Sequence, residues 1–184
     1  MIYLKSNKII IGSAIFTFLL CFLTHFLYDW FPNSVFSIFF PVNESVWEHM
    51  KMIYTTVLLY GIIEYFILKK TNSNVNNFFI TKVLEALCNI PIFLIMYYPI
   101  FWIIGENMIV TFIILFLSIL LTNFIFTRLL FKSEIKNQKI VSILLIIFVY
   151  ALMGILTYNP PRYEIFFDPQ DEKYGINDYL TEKN

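Results

Sequence analysis

Residues 108–130 read MIVTFIILFLSILLTNFIFTRLL, a run of twenty positions without a charge before Arg128. A helix needs about 20 mainly apolar residues to cross the ~30 Å hydrocarbon layer, where no water is present to satisfy a free backbone group. This stretch therefore predicts a membrane-spanning helix. Four other stretches share its character: Ile9 to Tyr28, Val46 to Leu68, Phe78 to about Tyr98, and Ile140 to Tyr158. Together they predict an all-α integral membrane bundle of about five transmembrane helices. Residues 1–159 would form the membrane domain and residues 160–184 an aromatic and acidic extracytoplasmic tail. The third span carries Lys82 and Glu85 near its start and is punctuated by Pro91 and Pro99, so four spans with one broken helix remain open.

Composition excludes the competing classes. The chain has 184 residues, is 59% hydrophobic and only 14% charged, and has a mean hydropathy of +0.71. A soluble domain carries roughly 25% charged residues, and a chain this short cannot bury so much apolar surface in one core. Thirteen basic and thirteen acidic residues cancel, which leaves no basic field for nucleic acid. Cys21 and Cys88 lie in apolar runs without ligand-spaced His or Cys neighbours, so neither a disulfide nor a zinc cluster is expected from them. Leu20 precedes Cys21 where a lipoprotein signal needs a small residue, and the first segment reads as a retained helix.

Lysine and arginine set the orientation. With the N-terminus inside, Lys5, Lys8, Lys69, Lys70, Lys82, Arg128, Lys132, Lys136 and Lys139 face the cytoplasm. Lys51, Arg162, Lys173 and Lys183 face out. Nine against four predicts the N-terminus inside and the C-terminus outside, with an acidic outer face. Two connections stand out. The apolar segment Val35 to Phe40 is too short to span and suits an interfacial or re-entrant piece ended by Pro41. The tail keeps Tyr163, Phe166, Phe167, Tyr174 and Tyr179, a composition that suits the headgroup layer or the helix ends. No internal repeat supports an inverted-repeat transporter.

Polar residues concentrate in three places. At the outer ends of the first two spans, His25 and Asp29 share one helix face, and Glu44 and Glu48 another, with His49 beside Glu48. If these helices pack as an antiparallel pair, His25, Glu44, Glu48 and His49 form a candidate divalent-metal set, or a site for acid-base chemistry. A plainer reading stands beside it. Ser45-Val46-Trp47-Glu48 fits a capping box, Asn43 and Glu44 suit a helix start, and His25 needs only one hydrogen bond to Asp29 or Glu48.

The second concentration runs from Asn159-Pro160-Pro161-Arg162 to Phe167-Asp168-Pro169 and Tyr174-Gly175-Ile176. It reads either as a lid that brings Arg162 and Asp168 over the outer cluster or as an ordered tail covering the bundle end. The third is an inner intramembrane cluster of Glu64, Lys82, Glu85 and Asn89. An ion pair between adjacent helices is its economical account. Ser118, Thr122 and Asn123 are the best candidates for extending it into a path across the membrane.

The string Asn43-Glu44-Ser45-Val46-Trp47-Glu48-His49 resembles an uncharacterised family of small bacterial multi-pass membrane proteins, known as a domain of unknown function. The likeness also takes in His25 with Asp29-Trp30, the Gly105-Glu106-Asn107 turn and the tail motifs. It implies five or six helices in the bacterial plasma membrane, without an assigned activity or substrate. Other membrane families fit worse. There is no H-E-x-x-H, no G-x-S-x-G elbow, no C-x-x-C-H and no phosphate-binding glycine loop, and both histidines precede residue 50, unlike the CAAX-processing proteases.

Three functional readings follow. In the first, the outer His/Glu cluster of a multi-pass membrane protein binds a cation or polar headgroup, with Asp29 and Asp168 orienting or covering it. In the second, a divalent metal ion there serves an interfacial hydrolase. In the third, the chain is a small permease or an accessory subunit that meets a membrane-protein partner or its own copy in the bilayer.

Overall fold

The computed structural model describes residues 7–70 and 75–176. Lys5 and residues 177–184, including Tyr179 and Lys183, lie outside the described residues. Among the described residues, five helices are long and apolar enough to cross a membrane.

The first crossing is α1 (Asn7–His25), continued after a turn at Phe26 by the short α2 (Leu27–Trp30). Next comes α3 (Ser34–Phe39), started by Asn33, whose Oδ1 accepts from the Val35 and Phe36 amides at 3.0 Å each. The long helices α4 (Val46–Lys70), α5 (Phe78–Ile104), α6 (Met108–Phe126) and α7 (Gln138–Tyr158) follow. A 3-10 turn at Thr127–Phe131 extends α6. Pro91 and Pro99 lie inside α5, which runs through both and ends only at Gly105, where φ is +73°. The third span is thus one continuous helix, six residues longer than the apolar run to Tyr98 suggested. Both prolines lie on the exposed side of α5, and local adjustment of the helix can satisfy the carbonyls they leave unpaired.

Helices α1, α4, α5 and α6 form a closed ring of neighbours, and α7 packs on the outside of α5, with α3 against α7. Two hydroxyl contacts fix the antiparallel α1–α4 pair: Thr24 Oγ1 to Thr56 Oγ1 at 2.6 Å, and Tyr60 Oη donating to Ser13 Oγ at 2.7 Å. The ring core includes Ala14, Cys21, Met50, Ile53, Phe93 and Ile119. Outside it, Phe66, Ile95, Ile103 and Ile147 are exposed, an apolar girdle that lipid would cover.

The segment between the first two spans is neither spanning nor free. Ser37 on α3 is buried, its hydroxyl 2.8 Å from Tyr158 Oη at the end of α7. The tail folds back over the same end of the bundle. Glu164–Phe166 form a 3-10 turn, and β1 (Phe167–Asp168) pairs antiparallel with β2 (Lys173–Tyr174), Phe167 opposite Tyr174. Its far end is moored by the Ile176 amide, which donates to Thr157 O at 3.0 Å, and by Asn43 Nδ2, which donates to Gly175 O at 3.1 Å.

Gly175 makes that mooring possible. Its φ is +63°, and a Cβ there would stand 2.5 Å from Thr157 O and 2.9 Å from Pro160 ring carbons. A side chain at a left-handed position costs about 1–3 kcal/mol before any clash is counted. Gly175→Ala is therefore expected to speed limited proteolysis after Pro161 by about tenfold or more. Equal cleavage rates would show that the tail is held by other contacts.

Candidate metal centre

His25 is the last residue of α1, His49 lies in the first turn of α4, and Glu44 sits in the loop just before it. Because α1 and α4 are antiparallel neighbours, the end of one meets the start of the other. The three side chains converge: His25 Nε2 lies 3.2 Å from His49 Nε2, and Glu44 Oε2 lies 3.6 and 3.5 Å from these nitrogens. Two ligands at about 2.0–2.1 Å from a tetrahedral ion stand roughly 3.3 Å apart. The observed triangle has nearly the edges of such a coordination face.

Hydrogen bonding orients the donors. His49 Nδ1 lies 2.9 Å from Ser45 O, which can only accept. The proton of a neutral His49 therefore sits on Nδ1, and the Nε2 lone pair points into the triangle. A backbone carbonyl holding the far nitrogen is the usual support of a ligating histidine. His25 Nδ1 is buried without a partner among the described residues. The Glu44 amide donates to Asp168 Oδ2 at 3.3 Å, which ties the loop to the tail. The Glu44 carboxyl is held below the usual carboxylate range, chiefly by the polar contact of the His25 imidazole beside it. Partial burial opposes this, and the charges of His49 and His25 reinforce it. A carboxylate in this state is the form that binds a cation.

A cavity of about 160 Å³ opens on the cluster, lined by His25, Asp29, Asn43, Glu44, Asp168 and Asp171 among others. Asp29 reaches this wall as an exposed carboxylate without joining the donor triangle. Asp168 covers the cluster from the tail, but its carboxylate is taken up by three backbone amides, those of Glu44, Gln170 and Asp171. Arg162 is not among the residues that line this cavity; its guanidinium lies 5.1 Å from the centre of the Tyr174 ring.

Glu48 is not in the triangle either. It is buried and ion-paired with Lys51, and it also accepts from Thr157 Oγ1 at 3.0 Å and from the Val42 amide at 3.1 Å. Half of the capping box forms, since the Glu48 amide donates to Ser45 Oγ at 3.3 Å. The carboxylate reaches past Ser45 because Asn43 Oδ1 already accepts from the Ser45 amide. Lys51 completes this buried knot by donating to Ser37 O at 2.7 Å and to Thr157 Oγ1 at 2.9 Å. By chain position alone Lys51 is an outer charge, yet it is fully buried. Its spacing of three from Glu48 was the signal available, but Ser37 and Thr157 come from distant segments and left none.

The inner cluster forms a second knot at the opposite end. Lys82 Nζ lies 2.6 Å from both Glu64 Oε2 and Glu85 Oε2. Its stem passes against Gly61, where a Cβ would come within 3.2 Å, so the small residue lets the side chain lie across α4. Asn123, in the amide orientation that suits its neighbours, donates to Glu85 Oε1 and accepts from the Ala14 amide at 3.2 Å. The Ser118 and Thr122 hydroxyls instead bond to carbonyls of their own helix.

No curated protein and no solved structure matches the chain. One family model does match, and it covers residues 1–176, so the chain, a membrane-type helical bundle with a His/Glu cluster at one end, belongs to DUF6512, a family of unknown function.

Proposed function

We propose that this multi-pass protein binds a divalent transition metal of the zinc class through His25, His49 and Glu44, with a further coordination position open to the adjoining cavity. The observation that carries the reading is the donor triangle itself: 3.2, 3.5 and 3.6 Å edges, with the His49 lone pair fixed inward by Ser45 O. Two nitrogens and one carboxylate oxygen leave a fourth tetrahedral position for water or a ligand, as in catalytic rather than structural zinc sites. The excess of basic residues on one side supports a location on the extracytoplasmic face of a bacterial plasma membrane, at headgroup depth.

The cavity wall favours one elaboration. Asp29 has no hydrogen-bond or ion-pair partner among the described residues and faces the same hollow, which suits a general base beside a metal-bound water. A metal-dependent hydrolase acting at the bilayer interface is therefore the second reading.

The test is metal analysis of the purified full chain in detergent, followed by titration with Zn²⁺ and Co²⁺. Wild type is expected to hold about one equivalent and to give the intense visible absorption of tetrahedral Co²⁺. His49→Ala and Glu44→Gln are each expected to weaken binding by about 100-fold or more, since even residues that only support ligands contribute 10–100-fold. Wild-type protein that binds neither ion would overturn the proposal. Asp29→Asn is expected to leave Zn²⁺ affinity within about threefold, because it lies outside the ligand triangle.

A further inference from the structure

Between the two ionic knots, the core of the bundle holds polar groups that the helices do not satisfy. Glu48 and Glu64 mark the two ends on α4, sixteen residues and about 24 Å of helix axis apart, most of the ~30 Å hydrocarbon layer. One turn in from Lys51, Tyr150 Oη donates to Thr55 Oγ1 at 3.1 Å, and the Tyr54 ring stands edge-on to Tyr150 with centroids 5.4 Å apart. Tyr54 is fully buried, and its hydroxyl has no partner. It shares a core cluster with Ala86, flanked by Leu87 and Ile90 of α5. Within that same stretch of α5 lies Asn89, also fully buried, with both amide atoms unpartnered. Asn89 is one helical turn from Glu85, and so from the Lys82 knot.

These two orphans are unlike the other buried polar side chains nearby. Thr56, Ser118 and Thr122 satisfy themselves on carbonyls of their own helices. The Tyr54 hydroxyl and the Asn89 amide do not. At membrane depth an unbonded polar group is costly, and ionisable residues there commonly mark ion or proton paths. The sequence of groups from Glu48 and Lys51 through Thr55, Tyr150, Tyr54 and Asn89 to Glu85, Lys82 and Glu64 runs from one end of the bundle to the other.

We propose that Tyr54 and Asn89 anchor a file of hydrogen-bonded water through the bundle core, and that this file conducts protons across the membrane between the Glu48–Lys51 pair and the Glu64–Lys82–Glu85 cluster. Each proton entering at one end displaces one at the other, so that no covalent bond is changed in sum and no co-reactant is needed. The path passes through none of the three metal donors, and its test variants at Tyr54 and Asn89 leave those donors unaltered.

The test is proton flux into liposomes that contain the purified full chain and an enclosed pH-sensitive dye, driven by a potassium diffusion potential. Wild type is expected to exceed protein-free vesicles by about tenfold, with Asn89→Leu and Tyr54→Phe each lowering that excess by about tenfold. Tyr54→Phe removes a single hydroxyl from a packed ring, so it reads the path even if Asn89→Leu fails to fold; helical circular dichroism and monodisperse elution identify that failure. Wild-type flux equal to that of empty vesicles, or wild-type rates retained in folded Tyr54→Phe protein, would overturn the proposal.

Discussion

Lys82→Met is expected to be the most damaging single substitution in the bundle. It removes the cation shared by Glu64 and Glu85, both of which are buried. Taking one partner from a buried ion pair typically costs about 3–5 kcal/mol, because the remaining charge stays in a low-dielectric interior. Here two carboxylates are left facing each other, so the loss should lie at the upper end of that range. The effect should spread, because the knot joins four helices: Glu64 comes from α4, Lys82 and Glu85 from α5, Asn123 from α6, and Ala14 from α1. Thermal unfolding in detergent, followed by circular dichroism, would measure it. The triple variant Lys82→Met, Glu64→Gln, Glu85→Gln should recover much of the stability, since a neutral set of similar volume avoids the uncompensated charge. A single variant within about 1 kcal/mol of wild type would show that the knot is not held by ion pairing.

Lys51→Met should be nearly as severe, and it carries a functional consequence that Lys82→Met does not. Lys51 is 0% exposed, and its ammonium holds Glu48, Ser37 O and Thr157 Oγ1 together. Removing it strands the Glu48 carboxylate at a cost of about 3–5 kcal/mol. Glu48 also receives the Val42 amide, so the same change loosens the loop that carries Glu44. Zn²⁺ affinity is therefore expected to fall by about 10–100-fold although no ligand is altered, the usual consequence of disturbing a support. The double variant Glu48→Gln, Lys51→Met separates the two effects. A glutamine can accept from the Val42 amide with its oxygen and donate its amide nitrogen to Thr157 Oγ1, which the loss of Lys51 leaves free to accept, so stability and metal affinity should both return most of the way. Restored stability with affinity still low would mean that Lys51 itself, rather than the loop anchorage, supports the site.

Some of this architecture was legible in one dimension and some was not. The five crossings were legible because twenty apolar residues in succession have one low-energy arrangement in a bilayer. The unbroken third span was less so: Pro91 and Pro99 are local signals of interruption, yet the apolar helix continues through both, since at membrane depth leaving the helix would expose more backbone groups than the prolines do. The pairing of Lys82 with Glu64 follows from depth alone, since both lie a similar distance from the same end of adjacent antiparallel helices. The outer cluster was legible only in part. Spacing along the chain placed Glu44, Glu48 and His49 near one another, but it could not say which carboxylate would face His25.

That choice belongs to the tertiary structure. The sequence by itself determined a helical membrane protein, the number of its crossings and the grouping of its imidazoles and carboxylates at one end, because hydrophobic run length and helical period are local properties of the chain. Only the packed bundle decided that Glu44 joins the histidines while Glu48 turns away to Lys51, the Val42 amide and Thr157. The physical reason is that a buried carboxylate goes where a cation and several hydrogen-bond donors can be supplied at once. Those donors are Lys51 of α4, the Val42 amide of the preceding loop and Thr157 of α7, the last more than a hundred residues away in the chain.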